Sequence, residues 1–295
     1  MNTIPGKINS GTRLPAGPQV WQAGPFRWEL EQQALVMGIL NVTPDSFSDG
    51  GKHLEIEDTI AGALGMIRDG AGILDIGGES TRPGAAPVSA EEEERRVVPV
   101  IRRLARSTDI ALSIDTSKPS VAAAALAAGA HIVNDVTGLR DPAMVGLCAA
   151  SDCGVVVMHM QGTPQTMQEK PCYDDVVDEV RDFFDKRHAQ LTTSGISSER
   201  IAFDPGIGFG KTLEHNLALI AGIESLVVHG RPVLMGLSRK SFIGRLLGRE
   251  ELSCRERPTQ ALTGLARRHG AMIHRVHKVR ECCEALRMVE AVIGV

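Results

Sequence analysis

The sequence predicts a (β/α)₈ barrel preceded by a short β-hairpin, and three observations support this prediction. Short apolar runs alternate with longer amphipathic runs along nearly the whole chain. The apolar runs lack polar alternation, which is typical of parallel strands that helices cover. About eight such units follow one another, and eight units within about 250 residues suit a closed barrel. An open doubly wound sheet is the alternative, but no Gly-x-Gly-x-x-Gly motif opens a first helix.

The elements are expected in the following order. The hairpin pairs 20–21 with 26–30. Strands are expected over 35–41, 73–77, 111–115, 132–135, 155–159, 201–204, 232–237 and 272–277. Helices are expected over 59–69, 91–103, 118–128, 176–193, 214–220, 242–247 and 279–292, with a further helix after 254–259. Ser89 and Glu92 have the spacing of a capping box, and the Ala-rich run before Gly129 is typical of a helix with a glycine stop.

Composition narrows the class of protein. Of the 295 residues, 43% are hydrophobic and 23% charged, as in ordinary globular proteins. The net charge of −4 and the 3% aromatic content favour neither nucleic acid nor an anionic membrane as a partner. The six cysteines lack zinc-site spacing and no apolar run reaches transmembrane length, so we expect reduced thiols and a cytoplasmic location. Residues 1–18 are expected to form a flexible tail, and 19–295 a single barrel domain.

Nearly every predicted strand ends in a hydrogen-bonding side chain. In a barrel, the carboxyl ends of all the strands face one shared mouth. Each such residue taken alone could simply be a turn residue or helix cap. This interpretation does not explain why such residues would form a whole ring at one pole of the barrel. The residues are Asn41, Asp75 with Glu79, Asp115, Asn134 with Asp135, His159, Asp204, Ser238 with Lys240, and Arg275 with His277.

Two kinds of ligand suit this set. Asp115, Asn134 and Asp204 have the acceptors and donors that the edge of a flat, N–H-rich heterocycle needs, since a carboxylate can accept two parallel hydrogen bonds from an N–C–NH₂ group. A phosphate or diphosphate suits the cationic groups, and the start of the helix near Ser241 also attracts anions. The cationic groups are Arg82, Lys240, Arg275 and His277.

Other features have simpler interpretations. His159 is expected to be a packed or capping histidine rather than a catalyst. The glycine-rich loop 204–211 lacks Walker spacing, so its glycines are expected to turn the backbone sharply while Phe209 covers a ligand. Three methionines are expected to fill gaps, with a floor under a flat ring as the alternative. They are Met158, Met160 and Met167.

Eight segments, in this order, carry a family resemblance: 37–51, 75–86, 113–119, 131–135, 158–162, 204–211, 236–244 and 275–277. Together they resemble the dihydropteroate synthases, the folate-pathway enzymes that sulfonamides inhibit. The resemblance implies a (β/α)₈ fold and a homodimer. It also implies the condensation of 7,8-dihydropterin-6-ylmethyl diphosphate with 4-aminobenzoate, which gives 7,8-dihydropteroate and diphosphate.

The resemblance also implies a role for individual residues. Pterin contacts fall on Asp115, Asn134, Met158, Asp204, Gly236 and Lys240. Diphosphate contacts fall on Asn41, Thr81, Arg82, Arg275 and His277. The 4-aminobenzoate site falls on Phe47, Pro83, Phe209, Lys240 and Ser241. The catalytic groups would be Asp115, Lys240, Arg275 and His277, with Mg²⁺ near Asn41 held mostly by diphosphate oxygens and water.

Some positions depart from the family pattern. Lys278 stands where an Asp usually follows the His, and the segment 254–259 is shorter than usual. Arg267, Arg268 and His269 occupy positions that are commonly apolar, in a region near the family's subunit contact. Two other functions stay open: a pterin-binding methyltransferase, which would not need the cationic cluster, and a catalytically silent pterin-binding barrel.

Overall fold

The computed structural model describes residues 19–42, 52–80, 86–249 and 251–293. The predicted barrel and its hairpin are confirmed. The hairpin consists of β1 (Gln19–Ala23) and β2 (Phe26–Leu30). The barrel strands are β3 (Leu35–Asn41), β4 (Ile73–Gly77), β5 (Ala111–Asp115), β6 (Ile132–Asp135), β7 (Gly154–Met158), β8 (Ile201–Asp204), β9 (Leu234–Met235) and β10 (Ile273–Val276).

The helices cover the outside of the barrel. They are α1 (Lys52–Arg68), α2 (Ala90–Ala105), α3 (Pro119–Ala128), α4 (Pro142–Ala150), α5 (Val176–Thr193), α6 (Leu213–Ala221), α7 (Ser241–Leu247), α8 (Glu256–Arg268) and α9 (Val279–Ile293). No helix in these described ranges is long and apolar enough to cross a membrane. The expected tail, 1–18, lies outside the described residues.

All eight barrel strands are parallel, in the spatial order β8-β7-β6-β5-β4-β3-β10-β9. A single parallel bridge between Phe203 and Val233 brings the two ends of this sheet together. β9 pairs with β10 over only two residues, so the strand expected over 232–237 is much shorter than predicted. The barrel is therefore least regular at its β8–β9 seam.

One residue from each strand forms an apolar layer at the amino-terminal end of the barrel interior. The layer consists of Met37, Ile73, Ala111, Ile132, Val156, Ala202, Leu234 and Ile273. Trp21 of the hairpin packs against this layer and is fully buried. Because side chains alternate between the two faces of a strand, the residues two and four positions further on also face the interior. Those positions carry the polar residues described below.

Two further local expectations needed correction. Helix α4 was not predicted, although Asp141 caps it through the Ala143 N–H (2.8 Å) and Pro142 begins it. The capping box at α2 is only half formed. Ser89 Oγ accepts from the Glu92 N–H at 3.3 Å, but the Glu92 carboxylate binds arginines on its own helix instead.

Candidate active site

A buried guanidinium joins two carboxylates near the carboxyl ends of the strands. Arg275 on β10 donates from Nε to Asp75 Oδ2 and from Nη2 to Asp115 Oδ2, each at 2.6 Å. Asn134 on β6 donates from Nδ2 to the same Asp75 oxygen at 3.1 Å. Four strands therefore contribute to one hydrogen-bonded network that faces the barrel mouth.

This network sets the charge of its members. Burial raises the pKa of Asp115 to about 7, against the lowering effect of Arg275 and with the charge of Asp75 adding to the rise. Burial opposes the charge of Arg275, but Asp75 and Asp115 hold the pKa of the guanidinium above its ordinary value. One positive charge is thus shared between two carboxylates, and Asp115 remains able to exchange a proton near neutral pH.

Asp204, at the end of β8, presents one oxygen to the mouth. Its Oδ1 accepts from the Gly206 N–H at 2.7 Å. A Cβ at Gly236 would lie 3.9 Å from Oδ2, so this glycine is a close neighbour of that oxygen. Burial raises the pKa of Asp204, while the Gly206 N–H and Lys240 lower it.

Lys240 and Phe209 meet at the same side of the mouth. The ammonium lies 4.2 Å from the centroid of the Phe209 ring, which is within cation–π range. Burial lowers the pKa of Lys240 to about 8, with Asp204 raising it and Arg275 lowering it. Ser241 follows directly as the first residue of α7.

An apolar patch lies beside these polar groups and is separate from the two larger cores. It contains Val136, Met158, Met160 and Met167, with Phe209 packed against it. Met158 is the last residue of β7 and pairs in register with Asp204. The three methionines therefore lie together in one patch, and a floor under a flat ring stays a prediction.

A second polar group lies at the β10 end. Ser238 Oγ lies 2.9 Å from His277 Nδ1 and also accepts from the His277 N–H at 3.3 Å. Asn41 is exposed at the end of β3, next to Gly77 in register. Lys278 is exposed immediately before α9, so its charge lies outside the polar network.

Two other strand-end residues, Glu79 and Asp135, have structural partners. Glu79 forms an ion pair with Lys118, which also pairs with the fully buried Glu93 of α2. Asp135 accepts from the backbone of Thr137 (2.7 Å) and Leu139 (3.1 Å), so it caps its own turn. Neither Glu79 nor Asp135 joins the network at the mouth.

Comparison with known proteins identifies the family. Residues 37–277 match the model of the pterin binding enzyme family. The chain is 47% identical over 265 residues to the dihydropteroate synthase of Escherichia coli K12, covering 88% of this chain and 92% of that protein.

The chain belongs to the dihydropteroate synthase family.

Solved structures of the family share the fold. The Xanthomonas albilineans dihydropteroate synthase, solved with 4-aminobenzoic acid, has a TM-score of 0.87 and 46% identity, covering 94% of this chain and 99% of that one. The Burkholderia cenocepacia enzyme, complexed with 7,8-dihydropteroate, has a TM-score of 0.85 and 43% identity, covering 94% of this chain and 97% of that one.

The structure places most of the family's expected contacts at one pole. Those that it describes are Asn41, Asp115, Asn134, Met158, Asp204, Phe209, Gly236, Lys240, Ser241, Arg275 and His277. Phe47, Thr81, Arg82 and Pro83 lie outside the described residues. Asp75 was predicted to belong to the ring of strand-end groups but to contact neither ligand, and it is the acceptor shared by Arg275 and Asn134. In the sequence, the sign of this structural role was that Asp75 is the one carboxylate within the otherwise apolar run of β4.

Proposed function

We propose that this chain condenses 7,8-dihydropterin-6-ylmethyl diphosphate with 4-aminobenzoate, giving 7,8-dihydropteroate and diphosphate. The observation that carries the proposal is the convergence of Asp115, Asn134, Asp204 and Lys240 beside a methionine patch at one pole of the barrel. Acceptors on one side and a soft apolar surface on the other match a flat, N–H-rich bicycle. The similar dihydropteroate synthases, among them structures with 4-aminobenzoic acid and with 7,8-dihydropteroate, support the same assignment.

The pterin would bind across the interior of the mouth. Asp204 Oδ2, a close neighbour of Gly236, would accept from the amino edge of the ring. Asp115 and Asn134 would hold the opposite edge, and Met158 would pack against the ring face. Because the network of Arg275 and Asp75 already fixes Asp115 and Asn134, little reorganisation would accompany binding.

The reaction needs charge stabilisation more than a strong base. The methylene C–O bond breaks, and diphosphate departs with the bonding electrons. Arg275 and His277, with Thr81 and Arg82, would stabilise the departing anion. The electron-rich pterin bears the resulting cation, and Asp115 and Asp204 would lower its energy through their negative charge. The arylamine nitrogen then forms the new C–N bond and releases its proton.

The 4-aminobenzoate would lie beside Phe209 and Lys240, which are in contact with each other. Its ring would pack against Phe209, with Phe47 and Pro83 completing the pocket and Ser241 near the carboxylate. The Lys240 ammonium lies over the Phe209 ring and interacts electrostatically with Asp204, so it would contact both substrates. Excluding water here would protect the cation from hydrolysis.

We propose that Mg²⁺ assists at Asn41. The amide oxygen of Asn41 is a suitable hard ligand, but among described residues no group of three His, Cys, Asp or Glu side chains could hold a metal ion. Diphosphate oxygens and water would therefore supply most ligands, as suits a cation that loses water reluctantly. When bound, the cation would neutralise part of the diphosphate charge.

The experiment is the release of diphosphate on addition of both substrates, measured together with 4-aminobenzoate consumption. Equal rates are expected for a synthase, whereas a methyltransferase or a silent barrel would release none. Asp204→Ala and Lys240→Ala should each lower kcat/KM by about 10³-fold or more, since each removes a preorganised contact in a water-excluded site.

The matched controls for those two variants are Asp182→Ala and Lys186→Ala, two exposed positions on α5. Both should retain wild-type kcat/KM. Near-normal turnover in Asp204→Ala or Lys240→Ala, with the circular dichroism spectrum unchanged, would contradict the proposed site.

We also propose a homodimer and a cytoplasmic location. Helices α8 and α9 pack together and leave Leu265, Met288 and Val292 exposed by 44%, 69% and 74%. Exposed apolar side chains on adjacent helices suit a subunit contact. All six cysteines are free thiols, which suits a reducing compartment.

Light scattering on a sizing column tests the dimer. The wild-type chain should have twice the mass of one chain, and the double substitution of Met288 and Val292 by Lys should give monomers. Leu217→Lys on α6, which is 37% exposed, is the matched control and should leave the mass unchanged. A monomeric wild-type chain would rule the dimer out.

A further inference from the structure

The loop 205–211, which follows β8, is attached to the end of β7 by a buried lysine. Lys211 is only 2% exposed. Its Nζ lies 2.9 Å from the carbonyl oxygen of Phe209, 3.3 Å from that of His159, and 3.1 Å from His159 Nδ1. One amine therefore connects the loop that carries Phe209 to the segment that follows Met158.

The three partners match the three donors of an ammonium group. Burial, together with the charges of Lys211 and Arg140, lowers the pKa of His159 to about 3, so the imidazole is neutral and Nδ1 can accept. An ammonium donates three hydrogen bonds and accepts none, so two carbonyls and one imidazole nitrogen satisfy it fully. None of these three partners is a carboxylate.

Burial of the Lys211 ammonium has a free-energy cost for folding. Burial lowers the pKa of Lys211 to about 7, while Asp204 raises it and Lys240 lowers it. An apolar side chain of similar length would fill the same space without desolvating a charge. Stability alone would therefore favour an apolar residue at this position. A lysine is better explained by a need to fix the geometry of the loop.

The loop has little freedom to take another position. Gly206 and Gly210 adopt positive φ values of 68° and 62°, and a Cβ at Gly206 would approach the His159 carbonyl oxygen to 2.0 Å. Asn216 Oδ1 accepts from the Gly208 N–H at 2.7 Å. These contacts hold the backbone on both sides of Phe209.

The loop in turn contacts Lys240. A Cβ at Gly208 would lie 3.3 Å from Lys240 Cδ, and the Lys240 ammonium lies over the Phe209 ring. A shift of the backbone at 208–209 would therefore change the distance between the ring and the ammonium. Small displacements of this kind weaken the binding of a flat aromatic substrate.

We propose that Lys211 is a positioning residue for the second substrate, which it serves by fixing the main chain at Phe209 so that the ring and Lys240 form the 4-aminobenzoate pocket. The proposal rests on the 4-aminobenzoate contacts proposed above. It concerns Lys211 alone, which is not among the proposed substrate contacts.

The test compares how substitutions of Lys211 change KM for 4-aminobenzoate and KM for the pterin diphosphate. Lys211→Met should raise KM for 4-aminobenzoate by about tenfold while KM for the pterin diphosphate changes by less than about twofold. Lys211→Gln, which keeps one amide donor, should give an intermediate KM. Thermal unfolding of each variant reports the accompanying loss of stability.

The matched control is Arg200→Met. Arg200 is a buried cation that donates to the carbonyl oxygens of Cys148, Ser151 and Cys153, but at the opposite pole of the barrel. This variant should lower the unfolding temperature and leave both Michaelis constants unchanged. A similar small change in both constants for Lys211→Met would make the lysine purely structural and overturn the proposal.

A further variant distinguishes failure of the proposed role of Lys211 from failure of the proposed 4-aminobenzoate site. Phe209→Ala should raise KM for 4-aminobenzoate by at least as much as Lys211→Met. If Phe209→Ala has no effect, the proposed substrate site is wrong, whereas an effect of Phe209→Ala alone overturns only the role of Lys211. If neither Lys211 variant folds, the lysine belongs to the stability of the fold, and the proposal fails.

Discussion

At the scale of single residues, burial shifts the pKa values of two charged groups of the candidate site in opposite directions. Burial raises the pKa of Asp115 to about 7 and lowers that of Lys240 to about 8. Both shifts bring the group close to neutral pH, although Asp and Lys titrate far from it in water. Pairs of groups whose pKa values have moved in this way are typical of reaction centres.

We predict a bell-shaped dependence of kcat/KM on pH. Asp115 must be ionised to accept from the pterin, so activity rises with pH through about 7. Lys240 must be protonated to attract the carboxylate of 4-aminobenzoate, so activity falls with pH through about 8. The kcat/KM profile reports groups of the free enzyme and of the free substrates.

Lys240→Arg gives the matched comparison, because arginine stays protonated throughout this range. This variant should lose the descending limb and keep the ascending one, at a lower maximal rate. An unchanged descending limb would assign that limb to a group other than Lys240.

At the scale of elements, a buried ion pair ties α8 to α9 and to the start of the barrel. Arg267 Nε lies 2.9 Å from Glu290 Oε1, which also accepts from the Ala34 N–H at 2.6 Å. Arg267 Nη2 donates to the Gln32 carbonyl at 3.0 Å. The arginine that departs from the family's usual apolar residue is thus directed inward and not toward a subunit contact.

We predict that Arg267→Met lowers the free energy of unfolding by about 3 kcal/mol, because it leaves the largely buried Glu290 carboxylate without its cation. Urea unfolding measures this loss. The control is Arg268→Met at the exposed neighbouring position, which should change stability by less than about 0.5 kcal/mol. Equal losses in both variants would show that the Glu290 pair contributes nothing specific.

At the scale of the whole molecule, stability and chemistry lie at opposite poles of the barrel. Trp21 fills the amino-terminal pole, where it packs against the apolar layer and donates from Nε1 to the Arg200 carbonyl at 3.1 Å. The polar network of Arg275, Asp75 and Asp115 occupies the other pole. The alternation of each strand places both layers inside one barrel.

We predict that Trp21→Ala lowers the free energy of unfolding by about 4 kcal/mol, the usual cost of deleting a large buried aromatic side chain. Below its unfolding temperature the variant should retain wild-type kcat/KM, because the hairpin layer lies at the opposite end of the barrel from the described residues of the candidate site. Trp28→Ala, at a partly buried position on the same hairpin, should cost less. A tenfold loss of activity at low temperature would show that the two poles are coupled.

Much of this architecture was predictable from the chain alone. Hydrophobic runs of strand length gave the bounds of β3, β4, β5, β6 and β8, because buried parallel strands carry a continuous apolar signal. The polar residues that end these runs predicted the pole and most of the candidate site. Helix α4 was missed because its nine residues are largely apolar and small and carry no amphipathic pattern, although Asp141 and Pro142 mark its start.

The sequence by itself determined the barrel, the ring of strand-end polar groups and the family, since these depend on local patterns and their order. Only the tertiary structure decided which groups pair. Arg275 reaches Asp75 across 200 positions and Asp115 across 160, and Lys211 meets His159 across 52. No local pattern encodes such contacts, because closure of the barrel creates them, and burial then fixes the charge that each group carries.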